Sequence, residues 1–162
     1  MHLRRRLAAL AAATALAAGC GDAAPARPDR QAEVASRGAS VMPFDLERTT
    51  HHFAKTADGG VQTVVADDPT DSGQVGLIRE HLRTEAERFR RGDFADPTRI
   101  HGTAMPGLDP LKGSAGRIDI TFAQTADGAQ ITYRTADAAL VTALHAWFDA
   151  QVSDHGAHAT GG

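Results

Sequence analysis

Histidine is the residue type with the clearest capacity for chemistry in this 162-residue chain, which has eight of them. Imidazole suits copper, zinc and nickel, and the thioether of methionine favours Cu(I). His155 and His158 lie three residues apart beside Asp154, and His101 and Met105 lie four apart in a segment rich in proline and glycine. With an earlier pair of adjacent histidines, they predict a copper or zinc site. The predicted ligands are His51, His52, His101, Met105, His155 and His158.

The histidine pattern also has an ordinary explanation. Neither spacing matches a closed metal site such as paired Cys-x-x-Cys, and each histidine alone is explained as a surface or core residue. His81 and His145 are interpreted as packing residues on the flanks of two helices. The argument for metal is therefore collective, and because protons compete for imidazole, binding is expected to weaken below about pH 6.

Several other classes of function lack the residues that they need. The only cysteine lies near the N-terminus, so the folded part has no thiol nucleophile. No serine lies in a Gly-x-Ser-x-Gly elbow, and there is no phosphate loop or Gly-x-Gly-x-x-Gly motif. A net charge of −3 gives no basic surface for nucleic acid. Enzymatic activity thus has no positive support in the sequence.

The N-terminus has the pattern of a secretory signal. Three arginines at 4–6 precede an apolar run at 7–18, which is shorter than the roughly 20 residues that span a bilayer. The run ends before Cys20 in a motif that resembles the lipobox of bacterial lipoproteins, with Ala17 where leucine is commonest. The resemblance implies cleavage after Gly19, acylation of Cys20, and a membrane-anchored protein that faces the periplasm or the cell exterior. The alternative is an ordinary signal peptide with an incidental cysteine.

One short phrase occurs twice in the chain, at 53–59 and at 122–128. Each copy places an Asp-Gly pair between two runs of alternating apolar and polar residues, which is typical of a β-hairpin. Alternation puts His51 and Phe53 on one face of the first strand and His52 on the other. The predicted strands are 50–55, 61–66, 117–122 and 130–134.

A helical pattern follows each hairpin. Apolar residues recur at three- and four-residue spacing from Val75 to Phe89, and a second stripe begins after Asp137. The glutamates and arginines of the first helix, Glu85 among them, predict a solvated face. The fold is therefore predicted to be α+β, with two ββα units forming a four-stranded antiparallel sheet and two helices packed on one face.

The predicted domain boundaries follow from these patterns. Residues 1–19 are the signal peptide, and residues 20–40 hold the acylated cysteine and a flexible tether. A single α+β domain spans 41–158, and residues 159–162 form a disordered tail.

Six short motifs are distributed over the predicted domain: Met42-Pro43-Phe44-Asp45, Thr50-His51-His52-Phe53, Glu80-His81-Leu82, Ile100-His101-Gly102, Met105-Pro106-Gly107-Leu108 and Trp147-Phe148-Asp149 through Asp154-His155-Gly156. In these motifs the chain resembles an uncharacterised family of small His-containing bacterial proteins, some of which carry the label aspartate carbamoyltransferase. The resemblance covers roughly residues 41–158 and gives no mechanism. The chain lacks the Ser-Thr-Arg-Thr carbamoyl-phosphate loop and the His-Pro-x-Gln segment of transcarbamylases, and it does not support that label.

The sequence favours a lipid-anchored extracytoplasmic protein whose small domain binds a transition metal without catalysis. The alternative is a module that binds a protein partner through the open face of its sheet, with incidental histidines. An enzyme would need a deep pocket with converging acids and bases.

Overall fold

The computed structural model describes residues 28–162 and confirms the α+β fold. These residues form five helices, five strands and two short 3₁₀ helices, at Leu46–Arg48 and Gly156–His158. The predicted signal peptide and Cys20 lie outside the described residues. The helices are α1 (Pro28–Gly38), α2 (Ser72–Arg90), α3 (Ala95–His101), α4 (Leu108–Lys112) and α5 (Ala138–His155). The strands are β1 (Thr49–Thr56), β2 (Gly59–Ala66), β3 (Asp119–Gln124), β4 (Gly128–Arg134) and β5 (Ala159–Gly161).

The five strands form one mixed sheet in the order β3-β4-β2-β1-β5. The four strands of the two hairpins are antiparallel, whereas β5 runs parallel to β1 and pairs His51 with Ala159. The prediction of a four-stranded sheet and a disordered tail at 159–162 is therefore corrected. The three residues of β5 are small or polar, so the sequence gives no signal for a strand there. β5 forms because its backbone pairs with the open edge of β1.

Both Asp-Gly pairs lie at strand reversals, as predicted, but only one of the two glycines has a positive φ. Gly59 has φ of +150°, which side chains rarely adopt, whereas Gly128 does not have a positive φ. A Cβ at Gly128 would lie 2.0 Å from the carbonyl oxygen of Val64 on the neighbouring strand, and one at Gly59 would lie 2.0 Å from that of Tyr133. Close approach of β2 and β4 thus requires glycine at both positions.

Replacing Gly128 by alanine is expected to lower the free energy of unfolding by about 1–3 kcal/mol, because the added methyl group forces β2 and β4 apart. Urea unfolding followed by circular dichroism measures the change. The matched control is Gly76→Ala in the middle of α2, where a Cβ meets nothing within 4 Å. This control is expected to stabilise the protein by about 0.5–1 kcal/mol through helix propensity. Equal effects at the two positions would contradict the packing argument.

Two long helices cover the sheet and share its core. Asp71 caps α2 by accepting a hydrogen bond from the backbone of Gln74, and Asp137 caps α5 by accepting from the backbones of Ala139 and Leu140. α2 packs on β2, β3 and β4, while α5 packs on β1, β2 and β5. Aromatic rings fill the space between the helices and the sheet. The buried rings of the hydrophobic core are Phe44, Phe53, Phe89, Phe94, Tyr133, Trp147 and Phe148.

The N-terminal helix α1 occupies 28–38, inside the segment predicted to be a flexible tether. Val34 is fully buried, and Gln31 donates a hydrogen bond of 3.1 Å to the backbone oxygen of Ser153 on α5. Arg30 pairs with Asp154 on the same helix. Polar side chains make most of the contacts that hold α1, so its sequence has no apolar stripe. The helix was therefore not predicted from the hydrophobic pattern. No helix within residues 28–162 is long and apolar enough to cross a membrane.

Candidate functional site

A small polar cavity lies between the two long helices and the sheet. Its volume of about 40 Å³ is enough for about three water molecules. His51, His81, His101 and His155 line it, together with Glu85 and Asp96. Within residues 28–162, the buried side-chain polar atoms without a hydrogen-bond partner are His51 Nδ1 and Trp147 Nε1, and both residues line this cavity. A buried polar atom without a hydrogen-bond partner lowers the stability by about 1–3 kcal/mol. A group bound in the cavity that pairs with these atoms would remove that cost.

Three of the imidazoles form a cluster on one wall of this cavity. The ring centres of His51 and His155 lie 5.2 Å apart with their planes at 24°, and those of His101 and His155 lie 5.1 Å apart at 76°. His51 comes from the core face of β1, His101 from the last residue of α3, and His155 from the last residue of α5. We call these three residues the histidine cluster. Sheet, connecting segment and final helix thus each supply one ring.

Asp154 orients His101 within the histidine cluster. Its Oδ2 lies 2.8 Å from His101 Nδ1, and Arg30 donates to both carboxylate oxygens, at 3.2 and 2.7 Å. Arg30 also donates a 2.6 Å bond to the backbone oxygen of His101. Burial alone would raise the pKa of Asp154, but the hydrogen bonds from His101 and Arg30 lower it to about 2. An ionised carboxylate only accepts, so His101 donates its Nδ1–H to Asp154, and Nε2 takes no part in this contact.

Burial keeps the other two rings of the histidine cluster neutral. It lowers the pKa of His51 to about 4, against the opposing effect of a hydrogen bond with the His158 backbone. Burial, followed by the charges of His51 and His101, holds the pKa of His155 well below its usual range. The neutral ring is the form that binds metals. The competition with protons expected below about pH 6 therefore moves to more acidic pH for His51 and His155.

Two acidic residues, Glu85 and Asp96, also line the cavity. Glu85 is buried on α2, and Arg88 Nη1 lies 3.2 Å from its Oε1 while also bonding Asp96. Burial and the charge of Asp96 raise the pKa of Glu85 to about 7, with Arg88 acting against them. The prediction that Glu85 belongs to a solvated face is wrong. Its position between Leu82 and Phe89 in the apolar stripe was the signal that could have revealed it.

The structure separates the other predicted ligands from the cluster. His52 is exposed on the outer face of β1, where its Nδ1 lies 2.6 Å from Thr160 Oγ1. His158 is half-exposed, with Nε2 3.5 Å from Glu47 Oε2. Met105 is buried in the core rather than at the cavity. The methionine that lines the cavity is Met42, which was not among the predicted ligands.

The two histidines interpreted as helix-flank residues have different surroundings. His145 packs at the surface and its Nε2 lies 3.0 and 2.9 Å from the backbone oxygens of Thr56 and Gly59, across the first hairpin. His81 lines the cavity, and its ring meets that of Phe44 edge-on at 5.6 Å. Burial lowers the pKa of His81, against the charge of Asp96. His81 thus belongs to the site rather than to the flank packing.

Two surface depressions adjoin the histidine cluster. His51 and His155 border both the cavity and a depression of about 230 Å³ that also contains His158. His101 borders the cavity and a groove of about 530 Å³ that contains Met105. The three residues of the histidine cluster therefore border both the cavity and the surface depressions.

No protein-family model, curated protein or solved structure matches the chain. Within residues 28–162, no group of three or more His, Cys, Asp or Glu side chains is positioned to hold a metal ion as it stands. Metal binding at the cluster therefore requires its rings to turn toward a common point.

Proposed function

We propose that the domain binds one transition-metal ion, copper or zinc, through His51, His101 and His155. The observation that carries the proposal is the spacing of the His155 ring from those of His51 and His101, beside a small cavity that all three residues line. With metal–nitrogen bonds of about 2.0–2.1 Å and each ring centre about 1.1 Å further out, two imidazoles on a tetrahedral ion have ring centres about 5.2 Å apart. The ring centres here are 5.2 and 5.1 Å apart. His155 is the member of both pairs, and the proposal requires the three rings to turn toward a common point.

The contact between Asp154 and His101 supports the same proposal. Histidines that bind metals almost always donate the N–H of their other nitrogen to a carboxylate or carbonyl, which fixes the ring and its tautomer. His101 makes this bond to Asp154, whose charge Arg30 balances. The bound ion would lie where the two hairpin–helix units meet, because β1 belongs to the first unit and α5 to the second.

The ligand set determines the expected order of affinities. Three neutral imidazoles suit Zn(II) and Cu(II), and the general order of stability places Cu(II) above Zn(II). Met42, which lines the same cavity, offers the thioether that Cu(I) would prefer. Met105 is not part of the proposed set.

The proposal includes the anchor predicted from the N-terminus. Seven residues, 21–27, separate Cys20 from the first residue of α1. At no more than about 3.3–3.6 Å for each residue, an acylated Cys20 holds the domain within about 25 Å of the lipid. The proposed protein is therefore a lipoprotein that binds metal close to an extracytoplasmic membrane surface.

Titration of chelator-treated protein with Cu(II), Zn(II) and Cu(I) tests the proposal. Trp147 is the only tryptophan and lines the cavity, so Cu(II) in the cluster is expected to quench its fluorescence at one equivalent. Zn(II) does not quench but should compete with Cu(II), and it should bind less tightly. A His101→Ala, His155→Ala double variant is expected to lose this stoichiometric binding.

The matched control for this titration is His52→Ala, which removes an exposed imidazole from the same strand as His51. It is expected to bind both ions as the unaltered protein does. Circular dichroism establishes that each variant is folded, and His155→Gln replaces the double variant if that one is not. Binding that disappears in the His52 variant and persists without His101 and His155 contradicts the proposal. No binding by the unaltered protein would favour a partner-binding module, although Leu77 is the only large hydrophobic side chain exposed within 28–162.

A further inference from the structure

Trp147 carries a hydrogen-bond donor that nothing in the described chain accepts. The residue is only 1% exposed, and its Nε1 has no partner among residues 28–162. An indole N–H can only donate, so the missing partner must be an acceptor. Trp147 lines the same cavity as the histidine cluster, and the cavity has room for about three water-sized groups.

Aromatic neighbours fix the direction of this N–H. Phe89, Phe94 and Tyr133 meet the Trp147 ring edge-on, with ring centres 5.9, 5.7 and 5.8 Å away. Phe148 lies against it at 5.6 Å. Such a ring cannot turn to find another acceptor without disrupting the core. The acceptor must therefore come to the cavity.

A metal held by three imidazoles has a coordination position to spare. Structural zinc sites are closed by four protein ligands, whereas sites with three protein ligands keep the fourth position for water or an added ligand. All three residues of the histidine cluster line the cavity, so the ion that they would hold borders the space that Trp147 also borders. This step depends on the proposed function.

We propose that the cavity is a binding site for a small anion of two or three atoms, which occupies the fourth position of the metal and accepts a hydrogen bond from Trp147 Nε1. The carboxylate of Asp96 lines the same space and would repel an anion in the metal-free protein. The charge of the ion reverses this repulsion. Anion binding therefore requires the metal.

Azide titration of the Cu(II)-loaded protein tests the site, with the new azide-to-copper absorption band and the electron paramagnetic resonance spectrum as readouts. One azide is expected to bind per copper, and none to the metal-free protein. Trp147→Phe is expected to weaken azide binding about tenfold, the effect of one lost hydrogen bond to a charged acceptor, with copper affinity unchanged. The control is Tyr133→Phe, which removes a hydroxyl bonded to Gln62 from the same aromatic group and should leave azide affinity unchanged.

A second measurement does not depend on a variant that folds. In the Zn(II)-loaded protein, the indole proton of Trp147 is expected to move downfield in the NMR spectrum when azide is added, because it gains an acceptor. Copper binding without azide binding overturns the anion site and leaves the proposed function standing. Equal azide affinity with and without the indole, or an indole proton that does not move, overturns the role of Trp147. Failure to bind metal overturns both proposals.

Discussion

Replacing Glu85 by glutamine is expected to stabilise the metal-free protein by about 3 kcal/mol at pH 8 and to leave its stability at pH 4 almost unchanged. Burial, and then the charge of Asp96, raise the pKa of this carboxyl from 4.5 to about 7. At about 1.36 kcal/mol for each pH unit, the rise corresponds to about 3 kcal/mol. Glutamine has nearly the shape of the protonated acid and never has to ionise.

The direction of this effect follows from proton binding. Between pH 4.5 and pH 7 the folded protein keeps a proton on Glu85 that the unfolded chain has already lost. Its contribution to stability is therefore complete below about pH 4.5 and is lost as the pH rises through about 7. Urea unfolding at pH 4, 6 and 8 measures the difference between the variant and the unaltered protein at each pH.

The matched control for this prediction is Glu87→Gln, two residues further along α2. The Glu87 side chain is 52% exposed, so its charge is solvated and its removal should change stability by less than about 0.5 kcal/mol. Arg88 loses one partner in the Glu85 variant but keeps Asp93 and Asp96. Destabilisation of the Glu85→Gln protein at pH 8 would show instead that Arg88 holds the acid ionised.

The pH dependence of stability that His51 contributes is opposite in direction to that of Glu85. The folded-state pKa of His51 is about 4, below its ordinary 6.5, because the buried ring resists protonation. The stability that depends on neutral His51 is complete above about pH 6.5 and is lost as the pH falls toward 4. The two residues partly cancel between pH 4.5 and 6.5. Removing the charge of Glu85 should therefore expose a steeper loss of stability on acidification.

The hairpins and long helices could be predicted because their signals are local. An Asp-Gly pair between alternating runs, or an apolar stripe behind a capping aspartate, is complete within about 20 residues. α1 and β5 carry no such signal. α1 depends on Arg30 and Gln31 meeting α5, and β5 depends on a free strand edge, so both arise from contacts distant in sequence.

The candidate site was predictable in its chemistry and only partly in its membership. Strand alternation correctly separated buried His51 from exposed His52, and residue type singled out His101 and His155. The meeting of β1 with the ends of α3 and α5 is a tertiary fact that no spacing encodes. The same holds for the choice of Met42 over Met105, because both are apolar residues of irregular segments. Residue type thus identified histidines as candidate site residues, whereas their positions in the sequence did not show which of them meet in the folded protein.

Replacing Asp154 by asparagine is expected to weaken zinc and copper binding by about 10- to 100-fold, the usual cost of losing a residue that orients a metal ligand. Both carboxylate oxygens are in use, Oδ1 and Oδ2 by Arg30 and Oδ2 also by His101. Asparagine offers one oxygen and one NH₂ group. If the amide oxygen faces His101, the NH₂ group faces the guanidinium of Arg30 and repels it. If the NH₂ group faces His101 instead, the ring loses its acceptor at Nδ1. The ring proton then moves to Nε2, the nitrogen that the proposal assigns to the metal.

Competition titration with a chelator of known affinity measures the metal binding of the Asp154→Asn protein, and nitrogen NMR of the His101 ring measures its tautomer. A residue that only stabilised the fold would change neither once the protein is folded, so a shift of the ring proton from Nδ1 to Nε2 is the decisive readout. Asp149→Asn is the control, since it removes an exposed carboxylate on the same helix that pairs with Lys55. Unchanged affinity together with an unchanged tautomer would exclude Asp154 as the positioning residue. Arg30 would then hold α1 to α5 with no consequence for the metal, and the link between the N-terminal helix and the site would be structural alone.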